Sequence, residues 1–278
     1  MLSESVSEPQ PAPESFSDLG HILTIVPTYN ESENIRLITT RIRAAIPEVH
    51  ILIADDNSPD GTGDIADELA SSDDHIHVMH RLDKEGLGAA YLAGFKWALE
   101  NDYDVVVEMD ADGSHQPEQL PLLLDALRDA DLVLGSRWVP GGSVQNWPKS
   151  REILSRGGNW YTRVALALPL MDATGGYRAY RASTLRTINL DGVGSAGYIF
   201  QVDLAYRVIQ AGLRVVEVPI QFSEREIGTS KMTHSIVTEA LWKVTVWGFR
   251  ARFTKEGRAR IKKTKALTKK NAPREIGT

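Results

Sequence analysis

The stretch that decides the fold is Val105-Val106-Val107-Glu108-Met109-Asp110-Ala111-Asp112-Gly113-Ser114-His115-Gln116-Pro117, where a mostly apolar run ends in two carboxylates one residue apart. A buried strand that stops at Asp-x-Asp places two oxygen ligands at the carboxyl edge of a sheet, where open α/β sheets bind ligands. Two close carboxylates repel each other unless a cation or a proton intervenes. Because Mg²⁺ and Mn²⁺ suit oxygen donors, the pattern predicts a metal–diphosphate site, with a solvated turn as the alternative.

The preceding residues alternate between short apolar runs and helical patterns. Strands are predicted at 21–27, 50–54, 76–79, 105–109 and 132–134, and helices at 31–45, 62–70, 86–99 and 118–128. We expect Pro27 to end the first strand because it cannot donate to a ladder. The alternation predicts an α/β fold with a mostly parallel central sheet and helices on both faces.

Right-handed crossovers bring the carboxyl ends of parallel strands to one edge. We therefore expect Tyr29, Asp55, Asp110, Asp112 and Arg137 to gather at one rim. The chain has no Gly-x-Gly-x-x-Gly after its first strand and no Walker lysine motif, which argues against a Rossmann dehydrogenase and a P-loop NTPase. The spacing after Asp110 also departs from an EF-hand loop.

The pattern changes after residue 140. Residues 141–148 are predicted to form a polar loop, 153–168 a helix, 175–181 a short strand and 200–210 a helix. A last strand at 214–220, a loop at 223–231 and an apolar helix at 236–249 follow. That helix is expected either to pack on the sheet or, with Trp160, Trp242 and Trp247, to lie at a membrane interface.

Composition narrows the class of protein. The apolar content is 42% and the charged content 24%, as in soluble globular proteins. The absence of cysteine excludes disulfides and zinc–thiolate sites and favours a cytoplasmic location. No run approaches the ~20 apolar residues of a membrane span. Residues 1–20 contain four acids and no Lys or Arg, and this segment is predicted to be disordered.

The C-terminal end is strongly basic. Residues 250–274 contain eleven Lys or Arg and one acid, Glu256. Such a tail indicates contact with an anionic surface. We expect that surface to be a membrane, because the chain lacks the interleaved aromatics or recognition fold of a nucleic-acid binder.

Several motifs occur in an order that identifies a family. They are 27–31 (PTYNE), 55–62 (DDNSPDGT), 110–117 (DADGSHQP), 135–137 (GSR), 174–178 (TGGYR) and 228–231 (GTSK). Over about residues 21–235 the chain closely resembles the polyprenol- or dolichol-phosphate mannose synthases of glycosyltransferase family 2, in a form without transmembrane helices. The resemblance implies a GT-A fold over 21–235, GDP-mannose as donor, a divalent metal (Mg²⁺ or Mn²⁺) and inversion at the anomeric carbon. Residues 236–278 would then be a C-terminal helix and basic tail.

The resemblance also implies roles for individual residues, transferred onto the matching motifs. The guanine nucleoside would be held by Pro27, Tyr29, Glu31, Ile53 and Asp55. Asp110, Ala111 and Asp112 would contact the metal and diphosphate, with Asp112 catalytic and either Ser114 or His115 as a third ligand. Arg225 and Lys231 would close over the donor phosphates, and Arg137, also catalytic, would hold the acceptor phosphate with Arg151 and Ser155.

The acceptor chemistry follows from its charge. A phosphomonoester is largely ionised at pH 7 and is already a nucleophile, so no general base is required. It needs a cationic pocket, and the leaving diphosphate needs compensating charge. The alternatives are transfer of glucose from UDP-glucose to polyprenyl phosphate, and a non-catalytic nucleotide-sugar-binding subunit. For the enzyme we expect a peripheral position at the cytoplasmic face of a membrane, to which the basic tail binds. A membrane protein that anchors the chain is a further expected partner.

Overall fold

The fold is that of a computed structural model, which describes residues 15–193, 197–224, 242–249, 253–254 and 262, with the backbone only at 197 and 198. Its centre is a seven-stranded sheet in the order β3-β2-β1-β4-β7-β5-β8, and β6 and β9 form a separate pair. The strands are β1 (Ile22–Thr28), β2 (His50–Asp55), β3 (Ile76–His80), β4 (Val105–Glu108), β5 (Leu132–Ser136), β6 (Ser143–Gln145), β7 (Arg178–Arg181), β8 (Val215–Pro219) and β9 (Gln221–Ser223).

Helices connect these strands in the predicted alternation. They are α1 (Ile35–Ala45), α2 (Thr62–Ser72), α3 (Leu87–Glu100), α4 (Leu120–Leu127), α5 (Lys149–Leu166), α6 (Ala182–Thr187) and α7 (Gly197–Ala211), and residues 242–249 form a further helix, α8. In the part of the chain that the structure describes, every helix is too short or too polar to cross a membrane.

The two faces of the sheet bury separate apolar clusters. Successive side chains of a strand point to opposite faces, so Leu23 and Ile25 of β1 join one cluster while Ile22 and Val26 join the other. The predicted α/β fold with helices on both faces is confirmed. Pairing within the sheet is parallel except for β7, which runs antiparallel between β4 and β5.

The register brings the functional strand ends to one edge. Thr28 pairs with Asp55 at the ends of β1 and β2, and Ile25 pairs with Glu108 at the end of β4. Because β7 is antiparallel, its first residue, Arg178, pairs with Glu108, so the loop before β7 lies at this same edge. The turns after the strands therefore meet above the carboxyl ends of β1, β2, β4 and β5.

Some sequence-based boundaries are wrong. Pro27 does not end β1, which continues to Thr28 and stays paired with β2. The backbone oxygen of Ile25 accepts from Met109 on the β4 side, so the nitrogen of Pro27, two residues on, faces the same side, where the pairing with β4 has already stopped. The polar loop predicted at 141–148 contains β6, and β9 lies at Gln221–Ser223, between the last predicted strand and the loop that was predicted to follow it. These two short strands pair with each other. Helix α5 begins at Lys149, four residues before the prediction, and α6 was not predicted. Strands of three residues are too short to show a period.

The predicted disorder at 1–20 is wrong for residues 15–20, while residues 1–14 lie outside the described part. Phe16 is fully buried, its backbone N–H donates to Glu48 Oε1 at 2.9 Å, and Ser17–Leu19 form a short 3₁₀ helix. Arg128 binds Asp18 through Nε at 2.9 Å. The acidic, Pro-rich composition of the segment does not indicate that its one aromatic residue is buried and holds the chain on the domain. The domain limits at 21–235 and 236–278 stay predictions.

Candidate active site

A cavity of about 470 Å³ opens at the carboxyl edge of the sheet. It is lined by residues that follow β1, β2, β4 and β5, by the loop before β7, and by side chains of α5 and β9. Its charged and polar lining residues are Thr28, Tyr29, Glu31, Asp56, Lys84, Asp110, Asp112, Ser114, His115, Arg137, Arg151, Thr174, Gln201 and Glu224. Acidic and basic groups from distant parts of the sequence thus share one space.

The turn after β4 fixes the Asp-x-Asp pair. Tyr91 of α3 donates its hydroxyl hydrogen to Asp110 Oδ1 at 3.1 Å, and the backbone N–H of Ser114 donates to Asp112 Oδ1 at 3.0 Å. Burial, followed by the charge of Asp110, raises the pKa of Tyr91 well above its usual value, which keeps that hydroxyl a donor. The two carboxylates are held by neutral donors at the cavity wall.

The donor set at this turn fits a hard divalent cation that also takes oxygens from a substrate. No group of three His, Cys, Asp or Glu side chains among the described residues is arranged to hold a metal ion. Mg²⁺ commonly uses one or two carboxylates together with substrate phosphates, and Asp110 and Asp112 supply that number. Ser114 lies beside them, buried and lining the cavity.

His115 is held as a structural side chain. The backbone N–H of Asp110 donates to its Nδ1 at 3.0 Å, so the neutral ring carries its hydrogen on Nε2. The ring stacks on Tyr177 at 5.0 Å and meets the edge of Phe222 at 5.5 Å. Burial lowers its pKa, against the opposing effect of Asp110. This hydrogen-bonding pattern leaves neither ring nitrogen as a metal ligand, and so favours Ser114 over His115 as the third protein ligand.

In the acidic motif at the end of β2, one aspartate stabilises the neighbouring turns and the next one lines the cavity. Asp55 is buried and accepts hydrogen bonds from Thr28 Oγ1 at 3.0 Å and Ser58 Oγ at 2.6 Å. Its neighbour Asp56 lines the cavity and pairs with Arg81. Burial raises the pKa of Asp56, although Arg81 opposes the shift. Asp55 thus ties the β1 and β2 turns together, and Asp56 faces the cavity.

The rest of this motif also stabilises the turns by hydrogen bonds. Asp60 accepts hydrogen bonds from Thr62 Oγ1 at 2.6 Å and from the backbone N–H of Ser32 at 3.1 Å. Burial would raise its pKa, but these donors lower it to about 2. Asn30 and Asn57 have φ values of 58° and 56°, a left-handed conformation that asparagine tolerates. The motif therefore shapes both turns.

The cavity wall next to this motif offers an aromatic ring and a cation. Lys84 Nζ lies 3.6 Å from the centroid of the Tyr29 ring, and both residues line the cavity together with Pro27 and Glu31. Lys84 is exposed and follows β3, whose end carried no recognised motif. A planar base and a phosphate are the groups that such a wall could hold.

Arg137, at the end of β5, is clamped by an acid that the sequence analysis did not select. Its Nε and Nη2 donate to the two oxygens of Asp172, each at 2.7 Å, and its backbone N–H donates to Asp172 at 3.1 Å. Burial would raise the pKa of Asp172, but Arg137 lowers it below its usual value. Asp172 thus occupies the Nε–Nη2 edge of the guanidinium that was predicted to hold the acceptor phosphate.

Arg151, in the first turn of α5, lines the same cavity as the turn that carries Asp110 and Asp112. Its guanidinium carbon is 4.1 Å from the centroid of the Trp147 ring, and its Nη1 donates to Glu224 Oε1 at 2.8 Å. The Trp147 ring also meets the edge of Phe222 at 5.5 Å. An anion entering here would compete with one partly exposed carboxylate for a stacked guanidinium.

Most of the predicted site residues come together, and a few do not. Pro27, Tyr29, Glu31, Asp110, Ala111, Asp112, Ser114, Arg137 and Arg151 all line the cavity. Ile53 and Asp55 are buried, and Ser155 is half-buried; none of the three is among the lining residues. Arg225 and Lys231 lie outside the described residues. The ligand contacts of all these residues stay predictions.

Sequence reasoning missed Asp56, Lys84, Trp147, Asp172, Gln201 and Glu224. Asp56 could have been found, because it directly follows a selected residue in a motif. Asp172 carried a weaker signal, as an acid two residues before the Thr174-Gly175-Gly176 motif. Glu224 and Trp147 lie in segments without periodic pattern, and only the pairing of β6 with β9 brings them together.

Comparison with known proteins connects this geometry to a family. The sequence profile described as "Glycosyl transferase family 2" matches residues 24–188, which span all the strand-end motifs from β1 to β7. The chain belongs to glycosyl transferase family 2. It is therefore a glycosyltransferase, and the resemblance stated from its motifs is confirmed at this level.

Two curated relatives of this transferase are similar over most of their length. It is 59% identical over 241 residues to the "Undecaprenyl-phosphate mannosyltransferase" of Micrococcus luteus, covering 86% of this chain and 98% of the relative. It is 58% identical over 232 residues to the "Polyprenol monophosphomannose synthase" of Mycolicibacterium smegmatis, covering 83% and 88% respectively.

Solved structures confirm the fold of the transferase. Glucosyl-3-phosphoglycerate synthase from Mycobacterium tuberculosis, in complex with Mn²⁺, UDP and glucosyl-3-phosphoglycerate, superposes with a TM-score of 0.61 at 17% identity. The match covers 89% of this chain and 86% of that one. At this identity the likeness concerns the GT-A architecture alone.

Proposed function

We propose that the chain transfers mannose from GDP-mannose to a polyprenyl monophosphate, giving polyprenyl phosphate mannose with inversion at the anomeric carbon. The observation that carries the proposal is that one cavity contains both the Asp110 and Asp112 carboxylates and the Arg137 and Arg151 guanidiniums. A reaction between two phosphate-bearing substrates needs such a pairing of a metal–diphosphate end with a cationic end. The names of the two relatives support mannose as the sugar and a polyprenyl phosphate as the acceptor.

The donor is proposed to lie along the β1, β2 and β4 turns. Tyr29 and Glu31 would hold the nucleoside, with Lys84 near its phosphates. Asp110 and Asp112 would hold Mg²⁺ or Mn²⁺, which when bound supplies charge stabilisation for the leaving diphosphate. Arg225 and Lys231, outside the described residues, are proposed to act on the same phosphates.

The acceptor phosphate is proposed to lie between Arg137 and Arg151. One of its oxygens forms the new bond to the anomeric carbon while the bond from that carbon to the diphosphate breaks, and GDP leaves with the electron pair. The nucleophile has already lost its proton at neutral pH, so no base must take one. The hydrogen bonding of His115 is consistent with a reaction without a base, because its Nδ1 already accepts a hydrogen bond from the backbone N–H of Asp110.

The lipid acceptor implies that the enzyme works at a membrane. The basic residues at 250–274 are proposed to bind the anionic cytoplasmic leaflet, with about 1 kcal/mol of attraction for each Lys or Arg near the surface. A membrane protein that anchors the chain is a further proposed partner. Deleting 250–278 should weaken binding to anionic liposomes, most strongly at low salt; unchanged sedimentation would contradict this part of the proposal.

The reaction is tested with labelled GDP-mannose, polyprenyl phosphate in detergent, and Mg²⁺ or Mn²⁺. Metal-dependent movement of label into the organic phase would support donor, acceptor and reaction together. UDP-glucose in a parallel reaction separates the two donors: transfer from it, and none from GDP-mannose, would overturn the proposed substrate. Absence of transfer from both donors would contradict the proposed reaction of the isolated chain, and would favour either a requirement for the membrane-protein partner or a non-catalytic, nucleotide-sugar-binding role.

A pair of variants tests the site itself. Asp112→Ala should abolish transfer, whereas Asp129→Ala, which alters an exposed acid beside α4, should leave it unchanged. Full transfer by the Asp112→Ala protein would contradict the assignment of the metal.

A further inference from the structure

Helix α5 is apolar on two opposite sides. Its inner side buries Thr162, Ala165 and Leu166 against the domain. Its outer side exposes Ile153, Trp160 and Val164 by 70%, 65% and 47%. The intervals of seven and four residues place these three side chains in one stripe along the helix. A solvated helix face is normally polar, so a stripe of large exposed apolar side chains indicates an interaction surface.

A second set of exposed aromatic side chains has the same spacing, with two members on helix α8 and the third at residue 253. Trp242 and Phe249 are exposed by 69% and 62%, and Phe253, four residues further on, stacks on Phe249 at 4.4 Å between ring centroids. Other side chains of this helix face the domain, because Val244 is buried in the core cluster. Two helices of the same region thus each present large apolar side chains to solvent.

The two helices are packed against each other. Tyr161 Oη of α5 lies 2.7 Å from Thr245 Oγ1 of α8. A Cβ atom at Gly248 would meet the backbone oxygen of Ala165 at 2.9 Å, so the two backbones approach as closely as glycine allows. We use the name two-helix face for the exposed apolar side chains of this pair together with the ring that stacks on Phe249: Ile153, Trp160, Val164, Trp242, Phe249 and Phe253.

Cations border the two-helix face. Lys149, Arg156 and Arg163 follow one flank of the α5 stripe, and Glu152, the acid among them, is paired with Arg156 at 2.8 Å. The chain continues from α8 into the segment with eleven Lys or Arg among residues 250–274. A bilayer with anionic lipids offers both apolar depth and negative charge, and so complements this arrangement better than another protein surface of ordinary composition.

The same helix also reaches the cavity. Arg151 lines it from the first turn of α5, two residues before Ile153 at the start of the stripe. We infer that the two-helix face lies in the interface of an anionic bilayer and brings the Arg151 end of the cavity to the headgroup level, where the phosphate of a lipid acceptor resides. This inference rests on the proposed function for its acceptor, but the docking itself is independent of the chemistry.

The test compares the full chain with the double variant Ile153→Asp/Trp160→Asp in flotation with vesicles of phosphatidylcholine and phosphatidylglycerol in equal parts. The variant should bind at least about tenfold less, because two carboxylates replace apolar side chains in the interface. The matched control is Leu37→Asp/Leu122→Asp, which alters exposed leucines of α1 and α4 and should bind like the original chain. Thermal unfolding of both variants checks that each is folded.

A second readout separates this inference from the proposed function. With a short-chain, water-soluble polyprenyl phosphate the Ile153→Asp/Trp160→Asp protein should transfer mannose at the original rate, and with a long-chain acceptor in vesicles the rate should fall about tenfold. Vesicle binding equal to that of the original chain would overturn the inference. A dimer that dissociates in this variant, without any change in vesicle binding, would assign the face to a second copy of the chain instead. Absence of transfer from every acceptor, together with the expected loss of vesicle binding, would overturn only the proposed function.

Discussion

Arg137 donates hydrogen bonds from both Nε and Nη2 to the carboxylate of Asp172, each at 2.7 Å, and both side chains are buried. Glu217 in turn accepts the backbone N–H groups of Met171 and Asp172 at 2.8 Å, which fixes the loop that carries the acid. The cation predicted to meet the acceptor phosphate is therefore oriented before any ligand arrives. Preorganised charge of this kind is most effective where water is excluded.

The Asp172→Asn variant should be strongly destabilised, because it leaves the Arg137 charge buried without its counter-ion. Removing one partner of a buried pair costs about 3 to 5 kcal/mol of unfolding free energy. Urea unfolding measures this loss, and Asp191→Asn, at an exposed acid, is the control. A variant that unfolds at the original urea concentration would show that the pair adds nothing to stability.

Glu224 and Arg151 should act in opposite directions on acceptor binding. Because the Glu224 carboxylate competes with phosphate for Arg151, Glu224→Gln should lower the KM for polyprenyl phosphate about threefold. Arg151→Gln should raise that KM about tenfold, with kcat little changed. Steady-state kinetics with varied acceptor measures both, and Glu152→Gln, one residue further along α5, serves as control. A rise of KM in both variants would contradict the competition.

Tyr91→Phe should weaken the affinity of the Asp-x-Asp turn for its metal without removing a ligand. The lost hydroxyl leaves Asp110 Oδ1 without its donor at 3.1 Å, and a hydrogen bond to a charged group contributes about 1.5 kcal/mol. The Mg²⁺ or Mn²⁺ concentration for half-maximal transfer should rise about tenfold. Tyr103→Phe removes a hydroxyl that contacts His50 and His77 at the other edge of the sheet, and its metal dependence should match the original.

A histidine cluster at that other edge should make stability fall in acid. Burial, followed by the charges of His75 and His77, lowers the pKa of His50 from 6.5 to about 4. Between these two values the unfolded chain binds a proton that the folded chain does not, so the contribution is complete above pH 6.5 and is lost as the pH falls towards 4. His50→Gln should flatten this part of a plot of Tm against pH, while His80→Gln, at an exposed position, should not. Equal slopes for the original chain and His50→Gln would contradict this assignment.

Two glycine substitutions should change stability with opposite signs. A Cβ atom at Gly94 of α3 would lie 2.8 Å from Ile25 of β1, so Gly94→Ala should destabilise the fold by about 1 to 3 kcal/mol. Gly157 of α5 has no atom within 4 Å of such a Cβ, so Gly157→Ala should stabilise by about 0.5 to 1 kcal/mol through helix propensity. Denaturant unfolding measures the change in unfolding free energy of each variant. A change of the same sign in both would show that the space around the added Cβ does not determine the effect of the substitution.

Periodicity was sufficient to predict the first five strands and the helices between them. Val105–Glu108 is buried and ends two residues before Asp110, and the same alternation of strand and helix patterns predicted β1 and β2 with their motifs. The order of the motifs also identified the family. These features are local, because a strand's apolar pattern and the turn residues after it lie within one stretch of chain.

The sequence by itself determined which strands are followed by charged or hydrogen-bonding side chains. It also determined that these side chains gather, since parallel strands joined by right-handed crossovers share one carboxyl edge. Tertiary structure alone decided the partners of those groups. Arg137 and Asp172 are 35 residues apart, and Arg151 and Glu224 are 73 apart. Their pairing depends on the antiparallel insertion of β7 and on the contact of β6 with β9. Neither leaves a periodic trace in the sequence, because short strands are fixed by the neighbours against which they pack.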